Sequence, residues 1–242
     1  MGLFGSDDTR PATTETGTTP EPDGPLDKMA QGLVGRLMDL GIDGIGPVDS
    51  VQQVVDKARA KRGGDVEKAI DEIVGDHVRL AGVGGFVTGF GGIVTLPVSL
   101  PANVVEFYAL ATRMVGSIAR LRGYDVDTPG ARAAIMLSLV GADADDLISK
   151  AGLSAASITG SGRLARMAMS RMPKAAAMMV NKAVAFRLLT TVGGKALSRL
   201  VRFVPVAGGI VGAGLDGFLM KRIADHARRE FPPRATLEAL DA

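Results

Sequence analysis

"LAGVGGFVTGFGGIVTLPVSLPANVVEF", residues 80–107, is the stretch whose reading decides the fold. It carries no charge from Leu80 to Val105, and six of the seventeen residues from Leu80 to Leu96 are glycine. A phosphate loop, a membrane span and a packed helix all compete for it. The dinucleotide loop needs G-x-G-x-x-G, but the run from Gly82 ends on Val87. The ATP-type loop needs a lysine and a hydroxyl where Phe90 and Gly91 stand. A membrane span needs roughly 20 apolar residues, and this run meets Pro97 too early. Helix packing fits best. Glycine inside a helix costs about 1 kcal/mol against alanine, and its return is close approach of a second backbone. Gly85 and Gly89 form one small-xxx-small pair, and Gly208 and Gly212 form another.

Working outward, apolar residues recur at helical spacing and nowhere alternate for long. The expected fold is all-α, a glycine-rich multi-helix bundle. Leu26, Met29, Leu33 and Leu37 predict a first helix capped at Gly41. A second has Pro47 in its first turn and Gly63 after its basic end. Asp65 is placed to cap a third. Beyond the prolines a helix runs from about Val104 to Gly123, and another follows Pro129. "DADDLISKAG", "GRLARMAMSRM", "KAAAMMVNKAVAFRLLTTV" and "KALSRLVRF" read as further helices. A last one ends near Phe231, before Pro232 and Pro233. "SDDTRPATTETGTTPEPDGP" (residues 6–25) has little to bury, so residues 1–25 are expected to be a disordered tail and 26–242 a single domain.

The chain has 242 residues, 46% of them hydrophobic but only 4% aromatic, with no cysteine. Disulfides, thiol nucleophiles and zinc–thiolate sites are thereby excluded. No basic-then-apolar leader opens the sequence, which predicts a cytoplasmic protein. Net charge is only +2, yet residues 163–242 carry fourteen bases and five acids. No acid occurs between Leu147 and Leu215. In that run Arg163, Arg166, Arg171 and Lys174, then Lys195, Arg199 and Arg202, predict basic faces suited to anionic lipid. Nucleic acid is disfavoured as a partner, since aromatic stacking capacity and recognition motifs are both missing.

No catalytic, cofactor or metal-ligating set emerges. His77 and His226 stand in charged helical segments and read as surface or capping residues. The nucleophile elbow G-x-S-x-G is absent. Asn103, Asn181 and Asp216 interrupt apolar helices and read as structural hydrogen-bonding groups, and the place to look for a ligand pocket is where such groups meet glycine faces.

"AIDEIVGDHVRLAGVGGFVTGFGGIVTLPVSLPANVVEFYALATRMVGSIARLRGYD" resembles the central signature of the EcsC proteins. "VPVAGGIVGAGLDGFLMKRIADHARREF" resembles their carboxyl-terminal one. The likeness runs from Leu26 to Phe231. It implies a helical, mostly bacterial protein with no established activity, whose namesake gene lies beside a transporter pair. Nineteen arginines against nine lysines fit a GC-rich, for example actinobacterial, genome. The expectation is a non-enzymatic accessory or binding protein, peripheral at the inner face of the cell membrane. Its expected partners are anionic lipids, or a membrane protein or transporter. An enzyme or binder acting on a lipid or other small molecule is the alternative from a different class. A protein-interaction scaffold is the third.

Overall fold

The computed structural model describes residues 25–90, 96–141, 162–170, 173, 176–185 and 205–241, and all regular structure among them is helical. The expected disordered tail, "DADDLISKAG" and "KALSRLVRF" lie outside the described residues, apart from Pro25, which opens α1 (Pro25–Met38). Gly41 does not cap this helix. The chain continues into one π-helical stretch, Asp39–Asp43, and breaks at Gly44, where φ is 75°. The reason is tertiary: Gly41 presses on the next long helix, and a Cβ there would stand 2.7 Å from Thr112 Cβ.

Helix α2 (Val51–Arg62) begins after Ser50, and Pro47 falls in the loop ahead of it. Ser50 and Gln53 form a reciprocal capping box, with bonds of 3.2 and 2.8 Å that satisfy two N–H groups the helix cannot. Gly63 closes α2 in the left-handed conformation, as expected. The Asp65 carboxylate accepts from the Lys68 N–H at 3.1 Å, and α3 (Val66–Phe90) follows. The fourth helix, α4 (Leu96–Leu121), starts eight residues earlier than the sequence reading placed it, with Pro97 and Pro101 inside it. First-turn N–H groups have no intrahelical partner, so Pro97 forfeits nothing there.

Thr128 caps α5 (Pro129–Val140), accepting from the Ala131 N–H at 3.2 Å. The next helices are α6 (Arg163–Met169), α7 (176–185) and α8 (Pro205–Glu230). Past Pro232 and Pro233 comes α9 (Arg234–Asp241), which the periodicity reading did not anticipate.

Helices α3 and α8 make the most extensive pair. They run antiparallel, for Asp71 meets Arg228 at 2.6 Å while Val78 lies against Gly217 further along. Helix α4 is antiparallel to α3 and meets it where Arg113 bonds His77. Fully buried Ile70, Met114, Ile118, Ile135, Met136, Leu164 and Met220 fill the space between, each contributing about 1.5–3 kcal/mol.

One end of the α3–α8 pair is tied by charge. The Arg122 side chain, only 8% exposed, donates from Nη1 to the Arg228 and Phe231 carbonyls at 2.6 and 2.8 Å. Its Nη2 reaches the Glu67 carboxylate at 2.9 and 3.1 Å. Lys61 and Arg62 hold Glu72 nearby. Phe231 stacks edge-on to Tyr124, whose hydroxyl donates to the Pro232 carbonyl at 2.6 Å.

Candidate functional site

The opposite end is built differently. Residues Leu80–Phe90 of α3, Leu96–Val105 of α4 and Pro205–Leu215 of α8 contain no charged residue. The antiparallel pairings bring these three segments to the same end of the molecule. Each is about 15 Å long at 1.5 Å per residue. Large apolar side chains stand in solvent at the inner border of these segments. Val83 is 61% exposed and Phe218 58%, with Leu80, Leu215 and Leu219 also exposed. Leu215, Phe218 and Leu219 share one face of α8, because positions three and four apart stack. Cations stand at the border of this zone. Arg222 lies over the Phe218 ring at 5.9 Å, while Arg79 and Lys221 make exposed pairs with Asp76 and Asp225. Burial raises the carboxyl of Asp216, the first charge on α8.

A groove of about 860 Å³ opens beside α4. Its walls are Leu40, Ile45, Val48, Val105, Ala109 and Leu110, and its charged residues are Arg36, Asp39, Glu106 and Arg113. Arg36, Asp39 and Glu106 are exposed, whereas Arg113 is half-buried. Arg113 donates from Nε to His77 Nε2 at 3.2 Å and from Nη1, at 3.4 Å, to the Asp49 carbonyl. His77 Nε2 is therefore an acceptor, so Nδ1 carries the proton and donates to the Ile73 carbonyl at 2.8 Å. Burial pushes the His77 pKa down to about 4, and the adjacent guanidinium adds to this. Burial also lowers the pKa of Arg113, against the pull of Asp49, yet it stays a cation. The Asp49 carboxylate is itself taken by Lys57 at 2.7 and 2.8 Å. Among the described residues, Arg113 makes no ion pair and Nη2 no hydrogen bond. No three potential metal ligands gather among them.

A model of the EcsC protein family matches residues 64–235. The chain belongs to the EcsC protein family. Neither a curated protein nor a solved structure matches it. The EcsC match takes in α3 to α8 and therefore the whole uncharged end. It begins after α1 and α2, later than the likeness read from Leu26, so one wall of the groove lies outside it.

The structure distributes the expected site residues. Arg163 and Arg166 are half-buried on α6, and each is already engaged in a polar or electrostatic interaction. Arg171, Lys174, Lys195, Arg199 and Arg202 lie outside the described residues. Asn103 falls in α4, Asn181 in α7 and Asp216 in α8, and neither Asn181 nor Asp216 lines the groove. Asn181 Oδ1 is buried without a partner among the described residues. Gly85 and Gly89 fall in α3. Gly208 and Gly212 fall in α8.

His77 corrects the reading of it as a surface residue, since it is 3% exposed. Charged neighbours in sequence suggested solvent, but the apolar stripe of Ile70, Ile73, Val74 and Ala81 includes its position. Arg113 was missed altogether. Its only signal was one cation inside an otherwise apolar helical run.

Proposed function

We propose that this protein is a non-enzymatic, peripheral membrane-binding member of the EcsC family. It seats the uncharged end of α3, α4 and α8 in one leaflet of an anionic bilayer. One observation carries the reading: the α3–α8 pair is ion-paired at one end and charge-free at the other, and Leu80, Val83, Leu215 and Phe218 are exposed where the charge-free stretch begins. The segments' length of about 15 Å is half the roughly 30 Å hydrocarbon core, a depth for one leaflet and not a crossing. No helix among the described residues is long and apolar enough to cross a membrane. Arg79, Lys221 and Arg222 border the apolar zone at the level where lipid phosphates would lie. The acid-free run containing Arg199 and Arg202 adds attraction of the same sign.

The test is co-sedimentation with vesicles of neutral or anionic phospholipid, across salt. Wild type should pellet with anionic vesicles and lose part of that binding at high salt, as the Debye length falls. The Phe218→Glu, Leu219→Glu double variant should stay in the supernatant with an unchanged melting curve, because both side chains are exposed. Equal pelleting of variant and wild type, or no wild-type pelleting, defeats the reading. An Arg199→Gln, Arg202→Gln variant measures the share of the basic run.

A further inference from the structure

We propose that the groove between α4, the Asp39–Asp43 turn and the loop before α2 is a binding site for a long-chain carboxylate. Arg113 holds the carboxylate, and the apolar walls hold the chain. This goes beyond membrane binding and stands without it.

The groove has the size of a small-molecule site, about 860 Å³ against a usual range of about 300–1,000 Å³. Its lining is mainly apolar, from Leu40, Ile45, Val48, Val105 and Leu110, so a hydrocarbon chain gains by entering. Arg113 is the half-buried charge among its walls, and its partners in the fold are a neutral ring nitrogen and a backbone carbonyl. A cation held this way keeps its full charge for a ligand. Anchoring of Nε by His77 fixes the guanidinium plane, and Nη1 and Nη2 then present the fork that a carboxylate matches with two oxygens. His77 can play this part only as the neutral Nδ1–H tautomer, which the Ile73 carbonyl selects.

The acids at the mouth narrow the ligand class. Asp39 and Glu106 balance Arg36 and Arg113 across the groove, so a doubly charged phosphate monoester gains no net attraction there, whereas one carboxylate matches the one half-buried cation. The axis of α4 sets the chain direction. Val105 ends the uncharged segment, and Arg113 stands two turns further, about 12 Å away. A carboxylate at Arg113 thus sends its chain toward the uncharged end.

Dodecanoate below its micelle-forming concentration, titrated calorimetrically into the full chain without vesicles, tests this. Wild type should bind one equivalent saturably. Arg113→Gln should bind about 10- to 100-fold more weakly, the usual worth of a charged hydrogen-bonded contact. Arg113 also supports Asp49 and His77, so a second variant guards against misfolding. Ile45→Glu puts a negative charge on an exposed groove wall, and it should weaken dodecanoate while melting like wild type. Dodecanol should bind Arg113→Gln about as well as it binds wild type. No saturable binding of dodecanoate by wild type overturns the proposal. So does wild-type affinity in both folded variants, or tighter binding of dodecyl phosphate than of dodecanoate. The Phe218→Glu, Leu219→Glu variant should bind dodecanoate normally, which separates this site from the membrane-facing end.

Discussion

At the residue scale, His77 shows how burial turns a titratable group into a fixed acceptor. Its pKa is pushed down to about 4 by burial first, with the Arg113 charge adding to it. The unfolded chain binds a proton near pH 6.5, so between about 6.5 and 4 the unfolded state is the more protonated one. The His77 contribution is therefore fully present above pH 6.5 and is lost as pH falls toward 4. Its size is on the order of 3 kcal/mol. Proton NMR should find the His77 ring titrating near pH 4. Urea unfolding at pH 7 and pH 4.5 should show a larger stability loss in wild type than in His77→Gln. A ring titrating near 6.5 would show that it is not sealed in the core. The sequence supplied the residue but not its burial. Glu72, Asp76 and Arg79 around it suggested solvent, whereas its stripe belongs with Ile70 and Ala81.

At the element scale, the Asp39–Asp43 π turn is shaped by a contact far away in sequence. Gly41 is buried with a normal backbone, and what requires glycine is space. An added Cβ would stand 2.7 Å from Thr112 Cβ, 2.8 Å from Thr112 Cγ2 and 3.0 Å from the Ala109 carbonyl. Gly41→Ala should destabilise by about 1–3 kcal/mol through overpacking, read as a lowered melting temperature. Gly63→Ala, with nothing within 4 Å of its added Cβ, should pay only for its left-handed backbone. Equal melting of Gly41→Ala and wild type would mean the turn moves freely against α4. The same turn carries Asp39 and Leu40 into the groove, so its displacement should also weaken dodecanoate.

At the scale of the whole molecule, the two ends of the bundle differ in what holds them. Arg122 joins α4 to the last turn of α8 and to the first turn of α3 through four bonds. The Arg122 carbonyl also accepts from the Arg234 N–H at 3.0 Å, which docks α9. Arg122→Ala leaves the part-buried Arg228 and Phe231 carbonyls without these donors, at a cost of about 2–4 kcal/mol. Arg122→Lys should recover little of this, since one ammonium cannot serve two carbonyls and Glu67 in a planar fork. Chemical denaturation of the three proteins checks it. Full stability in the lysine variant would show that charge alone suffices. Neither variant touches the exposed apolar end, so both should still pellet with anionic vesicles while folded.

Among the described residues, the sequence by itself determined α2, α3, α5 and most of α4, because period and caps are local. Asp65, Gly63, Thr128 and Gly123 stand where their backbone chemistry requires. It also determined that three stretches would carry no charge. Tertiary structure decided what local patterns cannot encode. It extended α4 back through two prolines, and it converted the expected cap at Gly41 into a packed turn under Thr112. It brought the charge-free stretches to one end by antiparallel pairing across more than a hundred residues of chain. It also set His77 against Arg113, thirty-six residues apart, leaving a half-buried cation in an apolar groove. Periodicity tells each residue which side of its own helix it is on. Only packing tells it which other helix it will meet.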